Sequence, residues 1–277
     1  MRKIVNGDYS GERSLFKEEN LSIDSSRFHD GESPLKESKN IRVKKTSFEW
    51  KYPFWYSKNI KVKDSIFQEM ARSGIWYTKN ISLENCIIEA PKEFRRSKRI
   101  KIINCEFKDA KETLWECENI LIKDSSFIGD CLLMNSKDIE IENMKLDGNY
   151  CCDGAKNVVI KNSTLISKDS FWNAENVYVE NSVIIGEYIG WNSKNVTFKN
   201  CKIESNQGFC YMKDLTLIDC ILENTTLAFE YSSVNVTVNS KIDSVKNPIS
   251  GTIIADEIGE LILDESDMNK IKIITRK

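Results

Sequence analysis

The sequence predicts an all-β chain, a right-handed single-stranded parallel β-helix (a solenoid) of about 12 coils, each 19 to 21 residues long. Three observations predict it. An Asn followed by alternating apolar and polar residues recurs at that period from Asn20 to Asn235, an apolar row returns eight residues after each Asn, and another lies five residues before the next. A repeat of this length is one supersecondary unit that can bury its apolar face only against copies of itself.

The first wall of each coil begins at the Asn: Asn20-Leu-Ser-Ile, Asn40-Ile-Arg-Val, Asn59-Ile-Lys-Val, Asn80-Ile-Ser-Leu, Asn119-Ile-Leu-Ile, Asn157-Val-Val-Ile, Asn176-Val-Tyr-Val and Asn195-Val-Thr-Phe, with Arg99, Asp138 and Asp214 in the same slot. Alternation with a period of two is that of a strand with one buried side. A turn follows, rich in Asn and Asp (Asp64, Asn85, Asn104, Asn162, Asn181, Asn200), residue types that tolerate turn dihedrals. Asn162 and Asn181 are expected to point inward, stack and bond buried backbone. The next position is small (Ser65, Cys86, Cys105, Ser163, Cys201, Cys220), and the second wall starts with Phe28, Phe48, Phe67, Ile88 and their successors. The third wall contributes Leu15, Leu35, Phe54, Ile75, Phe94, Leu114, Leu133, Cys152, Phe171 and Phe209.

Leucine-rich repeats share the period, but they need a Leu-dominated pattern with a helical return, whereas β-branched and aromatic residues fill three short runs here. A six-residue period is absent, which excludes a left-handed hexapeptide helix. Right-handedness follows from the preference of parallel crossovers. The expected organisation is a single domain over 1–277, with an N-terminal cap at 1–14, regular coils over 15–242, and a modified last coil and C-terminal cap at 243–277.

Forty Lys and Arg against forty-two Asp and Glu leave a net charge of −2, without the overall basic footprint of a nucleic-acid binder. The outward row Lys44, Lys63, Glu84, Lys123, Glu142, Lys161, Glu180 and Lys199 reads as a mixed-charge solvated face. No apolar stretch resembles a secretory signal or a membrane span, so the expectation is a cytoplasmic protein with no nucleic-acid and no membrane partner. Nine cysteines fit reduced core thiols, since an odd number cannot pair completely within one chain. No zinc spacing, glycine-rich phosphate loop or second histidine beside His29 is present, so no metal and no cofactor is expected.

The segment before each Asn is the candidate functional face. Trp55, Trp76, Trp115, Trp172 and Trp191 occupy one row with Arg95, and Tyr56, Tyr77, Arg96 and Glu116 lie beside it. Aromatic planes among amides, carboxylates and guanidinium groups suit an oligosaccharide, and the sheet spacing of about 4.8 Å is close to the rise per sugar. Asp130, Asp153 and Asp169 are the carboxylates to consider for catalysis, because glycosidases need an acid and a base or nucleophile flanking one bond.

The phrases Asp30-Gly-Glu-Ser-Pro-Leu-Lys-Glu-Ser-Lys-Asn40, Lys51-Tyr-Pro-Phe-Trp-Tyr-Ser57, Gly74-Ile-Trp-Tyr-Thr78, Leu146-Asp-Gly-Asn-Tyr150 and Gly186-Glu-Tyr-Ile-Gly-Trp-Asn-Ser193 closely resemble a bacterial family, domain of unknown function 3737, over nearly the whole chain. The resemblance implies a pectin-lyase-like β-helix and carries no catalytic residues with it. Polygalacturonases of that architecture have adjacent Asp residues and a Gly-His-Gly segment; neither is found here. The Arg99-Ile-Lys101 triplet, similar to their Arg-Ile-Lys motif, fills the repeat's ordinary Asn-Ile-Lys slot. The resulting expectation is a carbohydrate-interacting protein, either a glycoside hydrolase or polysaccharide lyase or a binder, with a non-catalytic scaffold for a protein partner as the alternative.

Overall fold

Alternation in the Asn-led segments produces the longest regular strands of the first half. Glu19–Asp24, Lys39–Lys44, Lys58–Lys63, Lys79–Glu84, Lys98–Ile103 and Glu118–Lys123 pair in parallel, each residue opposite its counterpart one coil away. Two inward columns result: Leu21, Ile41, Ile60, Ile81, Ile100 and Ile120, then Ile23, Val43, Val62, Leu83, Ile102 and Ile122, all buried. This computed structural model describes all 277 residues, and the chain is an all-β parallel β-solenoid of about 14 turns.

More turns are present than the Asn count predicts, because pairing extends past it at both ends. Arg2–Val5 already pairs with the strand starting at Glu19, and Ser250–Ala255 and Ile271–Thr275 continue the same ladder. Asn235 is also not in the Asn slot: it pairs with Thr216 inside the ladder, and Ser233 stands in register one residue before Val234. The Asn-Val-Thr-Val string matches the motif by composition, but the buried side is set by Val234 and Val236.

The chain divides into two compact units, Met1–Glu140 and Ile141–Lys277. In the first, the second wall is a file of stacked rings, Tyr9, Phe28, Phe48 and Phe67, with centroids 5.0 to 5.1 Å apart. Offset stacking of this kind adds about 0.5–1.5 kcal/mol per pair beyond area burial. The second unit repeats the plan, with Lys156–Lys161, Glu175–Glu180 and Lys194–Lys199 as its first wall and buried Leu165, Ile184 and Ile203 on its second.

Corners are made by residues in the left-handed region. Asn40, Asn59 and Asn80 have φ of 56°, 57° and 60°, a conformation that costs most L-residues about 1–2 kcal/mol and that Asn tolerates best after Gly. Their amides form a ladder: Asn40 Nδ2 donates to Asn20 Oδ1 (3.0 Å), Asn59 to Asn40 (2.8 Å) and Asn80 to Asn59 (2.9 Å).

The second Asn row departs from expectation. Asn162 and Asn181 are exposed, with φ of 52° each, and do not point inward. A residue chosen for left-handed backbone leaves its side chain outside the corner. Buried backbone is satisfied one position later, where Ser163 Oγ accepts from the Met144 N–H (3.0 Å) and donates to the Lys161 carbonyl (2.8 Å).

These roles separate by mutation. Ser163→Ala leaves the buried Met144 N–H without a partner, while the Lys161 carbonyl keeps the Asn143 N–H (3.1 Å), and is expected to lose about 1–3 kcal/mol. Asn162→Ala should lose about 1–2 kcal/mol through backbone strain, most of it recovered in Asn162→Gly. Denaturant unfolding of the three variants checks this; an Asn162→Gly variant as unstable as Ser163→Ala would return the buried bond to the Asn.

Candidate functional site

The third wall is the shortest, reduced in the first unit to isolated bridges from Trp76 to Arg95 and from Arg95 to Trp115. Its residues alternate between left-handed and ordinary backbone. Phe94 and Arg96 have φ of 58° and 49°, as do Leu114 and Glu116 with 60° and 53°. The residue between them, Arg95 or Trp115, projects from the flat of the wall, and the one after it projects from the corner. That is how neighbouring side chains come to form two parallel files.

In the unit Met1–Glu140 the inner file is a continuous stack. The Trp55 and Trp76 rings lie 5.4 Å apart and within 9° of parallel, and the Arg95 guanidinium sits 4.6 Å above Trp76 and 4.7 Å from Trp115. Each indole N–H is already used: Trp55 donates to the Ser73 carbonyl (2.5 Å), Trp76 to Lys92 (2.8 Å) and Trp115 to Cys131 (2.6 Å). Arg95 Nε is buried with no hydrogen-bond partner, and its charge is met by the two rings and by Glu112, 3.6 Å from its terminal nitrogen. The rings are therefore half-buried and turn their faces mainly toward one another.

The outer file is the accessible one. Tyr56 is 51% exposed and stacks on Tyr77 at 4.7 Å and 8°. Arg96 Nε donates to Glu116 Oε2 at 2.6 Å in the coils that follow. Asp130 is exposed in this same unit, at a corner before Cys131.

In the unit Ile141–Lys277, Trp172 and Trp191 are 6.2 Å apart and tilted by 36°, and Trp191 leads to Tyr211 at 4.8 Å and Tyr231 beyond it at 5.4 Å. Trp172 donates its indole N–H to the Tyr188 carbonyl (2.8 Å). Beside the rings runs an amide rail in which Asn192 Nδ2 donates to Asn173 Oδ1 (2.8 Å) and Asn173 Nδ2 to Asp153 Oδ1 (3.0 Å). Asp169 occupies a left-handed corner at φ 55°, and burial together with the neighbouring Glu187 raises its carboxyl above the usual range, partly offset by Lys168. The candidate carboxylates thus divide, Asp130 in one unit and Asp153 with Asp169 in the other. No group of three or more His, Cys, Asp or Glu converges as a metal site.

Sequence reasoning puts Tyr211 and Tyr231 in the row beside the tryptophans without marking them as ring partners of Trp191, because Cys210 and Glu230 occupy the tryptophan slot before them. It missed Glu93. This carboxyl is fully buried behind the Trp76–Arg95 wall, where it accepts the Gly74 N–H at 3.0 and 3.1 Å, and burial raises it well above the carboxylate range. The only signal in the sequence is its place two residues before Arg95, where neighbouring coils carry Gly74 and Thr113.

Eight of the nine cysteines are buried. Burial pushes the Cys117 and Cys210 thiols up to about 12. Cys105 and Cys220 are held above the usual thiol range by the neighbouring sulfurs of Cys86 and Cys201, with burial adding to it. These are core groups of the solenoid.

A parallel β-solenoid with an exposed tyrosine file beside half-buried stacked rings is the class that fold and site define. The chain belongs to the protein family of unknown function DUF3737, which it matches over residues 2–275. Comparison with characterised proteins gives no sequence match. Among solved structures, it is similar to the surface adhesin PfbA of Streptococcus pneumoniae, at 10% identity and a TM-score of 0.43, covering 97% of this chain and 83% of that one. It is also similar to the catalytic domain of a GH87 alpha-1,3-glucanase (8% identity, TM-score 0.31, 99% and 63% covered), and to a tailspike protein of bacteriophage CBA120 (12% identity, TM-score 0.34, 99% and 56% covered).

Two measurements test the buried groups. Because Glu93 keeps its proton in the folded chain while the unfolded chain releases it above the ordinary value of 4.5, its stabilising contribution is complete below that pH and declines as pH rises toward the folded-state value. Glu93→Gln should flatten this decline in melting temperature; an unchanged pH profile would mean the carboxyl ionises in place. The eight buried thiols should resist a thiol reagent at about pH 8 in the native protein and all react on unfolding. Rapid native labelling of Cys117 would contradict its burial.

Proposed function

We propose that the protein binds oligosaccharide along the corner formed by its third wall, with Tyr56 and Tyr77 as the principal contact in the first unit. The carrying observation is the exposed Tyr56 ring, held parallel to Tyr77. A phenol ring offers a flat apolar surface with a polar edge, and Arg96 and Glu116 supply charged hydrogen-bonding groups in the next coils. Trp55, Trp76 and Trp115 serve this reading as a rigid backing, since their N–H groups are committed to backbone and their faces to one another. In the second unit, Trp172 and Trp191 with the Asn192–Asn173–Asp153 rail offer the same combination of ring and amide.

A cutting activity on this face would draw on Asp169, whose raised carboxyl suits a general acid, with Asp153 as the second carboxyl group of the face. Binding and cutting are separable. On a glycan array the intact protein should retain a defined set of oligosaccharides, and Tyr56→Ala should weaken that binding by about tenfold, roughly the loss of one aromatic contact. Asp169→Asn should leave binding intact while abolishing any release of reducing ends. Absence of binding across a broad array, or full binding by Tyr56→Ala, would remove this reading.

A further inference from the structure

The chain is close to neutral, at −2, but its charge is distributed unevenly among the walls. Four consecutive first-wall strands, Lys39–Lys44, Lys58–Lys63, Lys79–Glu84 and Lys98–Ile103, hold ten Lys and Arg against one carboxylate, Glu84. All ten are exposed. The parallel register places like beside like: Lys39, Lys58, Lys79 and Lys98 form one column, and Arg42 faces Lys61 as Lys44 faces Lys63. Three of the ten have acidic partners, Lys39 with Glu19 (3.9 Å), Lys63 with Glu84 (2.7 Å) and Lys98 with Glu118 (2.6 Å). The other seven have none.

Like charges directly opposite on neighbouring strands destabilise a sheet, and the same protein shows the alternative. In the second unit the corresponding columns alternate in sign, Lys156–Glu175–Lys194 and Lys161–Glu180–Lys199, and every step is an ion pair. The mixed-charge reading of the outward row holds there; in the first unit the row is itself mixed at Lys63 and Glu84, but the columns beside it are not. Reading one outward position per coil hides the effect, because the excess comes from three outward columns together. Between them, Asn40, Asn59, Asn80, Arg42, Lys61 and Lys101 line an open groove of about 810 Å³.

We propose that this face docks by charge, without insertion, on a planar anionic lipid surface. Four strands about 4.8 Å apart and six residues long form an array roughly 15 by 17 Å, all of whose cations project from one sheet. A linear polyanion would follow one column and leave the others unmet, whereas a plane of headgroups meets every column at once. No large apolar residue is exposed on these strands, so nothing there stacks on nucleic-acid bases or enters the hydrocarbon. A broad sheet does not fit the major groove of duplex DNA, which admits a helix or a two-stranded ribbon. No helix of the chain is long and apolar enough to cross a membrane; peripheral docking needs none, although the sequence led us to expect no membrane partner. This site is separate from the tyrosine file, and neither reading depends on the other.

Cosedimentation of the intact chain with vesicles tests it, using phosphatidylcholine alone and equal parts phosphatidylcholine and phosphatidylglycerol. The protein should pellet with the anionic vesicles only, and release at about 0.5 M salt, where the screening length is a few ångströms. The double variant Lys58→Glu/Lys61→Glu should bind at least about tenfold more weakly, and Lys156→Glu/Lys194→Glu, with the same change in net charge on the other unit, should bind as the parent does. Lys61→Ser, which repeats the Ser82 of the next coil, serves if the double reversal fails to fold by circular dichroism, and should also weaken binding. Equal pelleting with both vesicle types, no pelleting with either, or unaltered binding by the Lys58/Lys61 variant would overturn the proposal. So would retention of polygalacturonate or a DNA oligonucleotide with no affinity for vesicles, since it would make the ligand a linear polyanion.

Discussion

Parallel register between coils is the constraint on which everything else in this protein depends. Each residue of one coil stands about 4.8 Å from its counterpart in the next, so the identity of a position is multiplied along the solenoid. Inside, this multiplies burial: the Leu21-to-Ile120 and Ile23-to-Ile122 columns are continuous apolar files because every coil places a side chain of similar shape at the same point. At the corners it multiplies strain, which is why left-handed positions are filled by Asn again and again, and why their amides can close into ladders. A ladder of side-chain amides is a consequence of backbone selection, and a modest stabiliser in its own right.

The same multiplication acts outside, where no packing requirement limits chemistry. One aromatic residue per coil becomes a stack, and one lysine per coil becomes a line of charge. The stack of Trp55, Trp76, Arg95 and Trp115 shows how a column absorbs a substitution: the guanidinium is planar, so it replaces an indole between two others and keeps the file unbroken. The lysine columns show the opposite case, in which repetition accumulates repulsion that the second unit avoids by alternating Lys with Glu. Surface chemistry on such a scaffold is read by column, since a single exposed residue has its counterpart in each adjacent coil.

The fold was legible because its signal is repeated many times. Phe28, Phe48 and Phe67, or Phe94, Leu114 and Leu133, identify the inward columns by their offset from the Asn slot alone, and all are buried. Legibility fell where one composition serves two geometries. Asn235-Val-Thr-Val has the motif's letters but sits two residues out of slot, and Asn162 satisfies a dihedral and not a buried bond. The spacing put the aromatic residues of the third wall in two adjacent rows, yet their orientation was not readable, because alternating left-handed residues set which side chain lies flat and which projects. Glu93 was illegible for another reason: one acid in a variable slot looks like any surface carboxylate until its neighbours close over it.

If register is the organising constraint, the coil is the unit that can be removed, since each coil contacts chiefly its neighbours. Residues 156–174 make up one coil by the pairing of Lys156 with Glu175, and deleting them brings Glu175 into the slot of Lys156 with every column preserved. Deleting 156–165 removes part of a coil and puts every later side chain out of column. Thermal unfolding followed by circular dichroism should show a cooperative β-sheet transition for the first deletion and none for the second. Equal loss of structure in both would contradict the account.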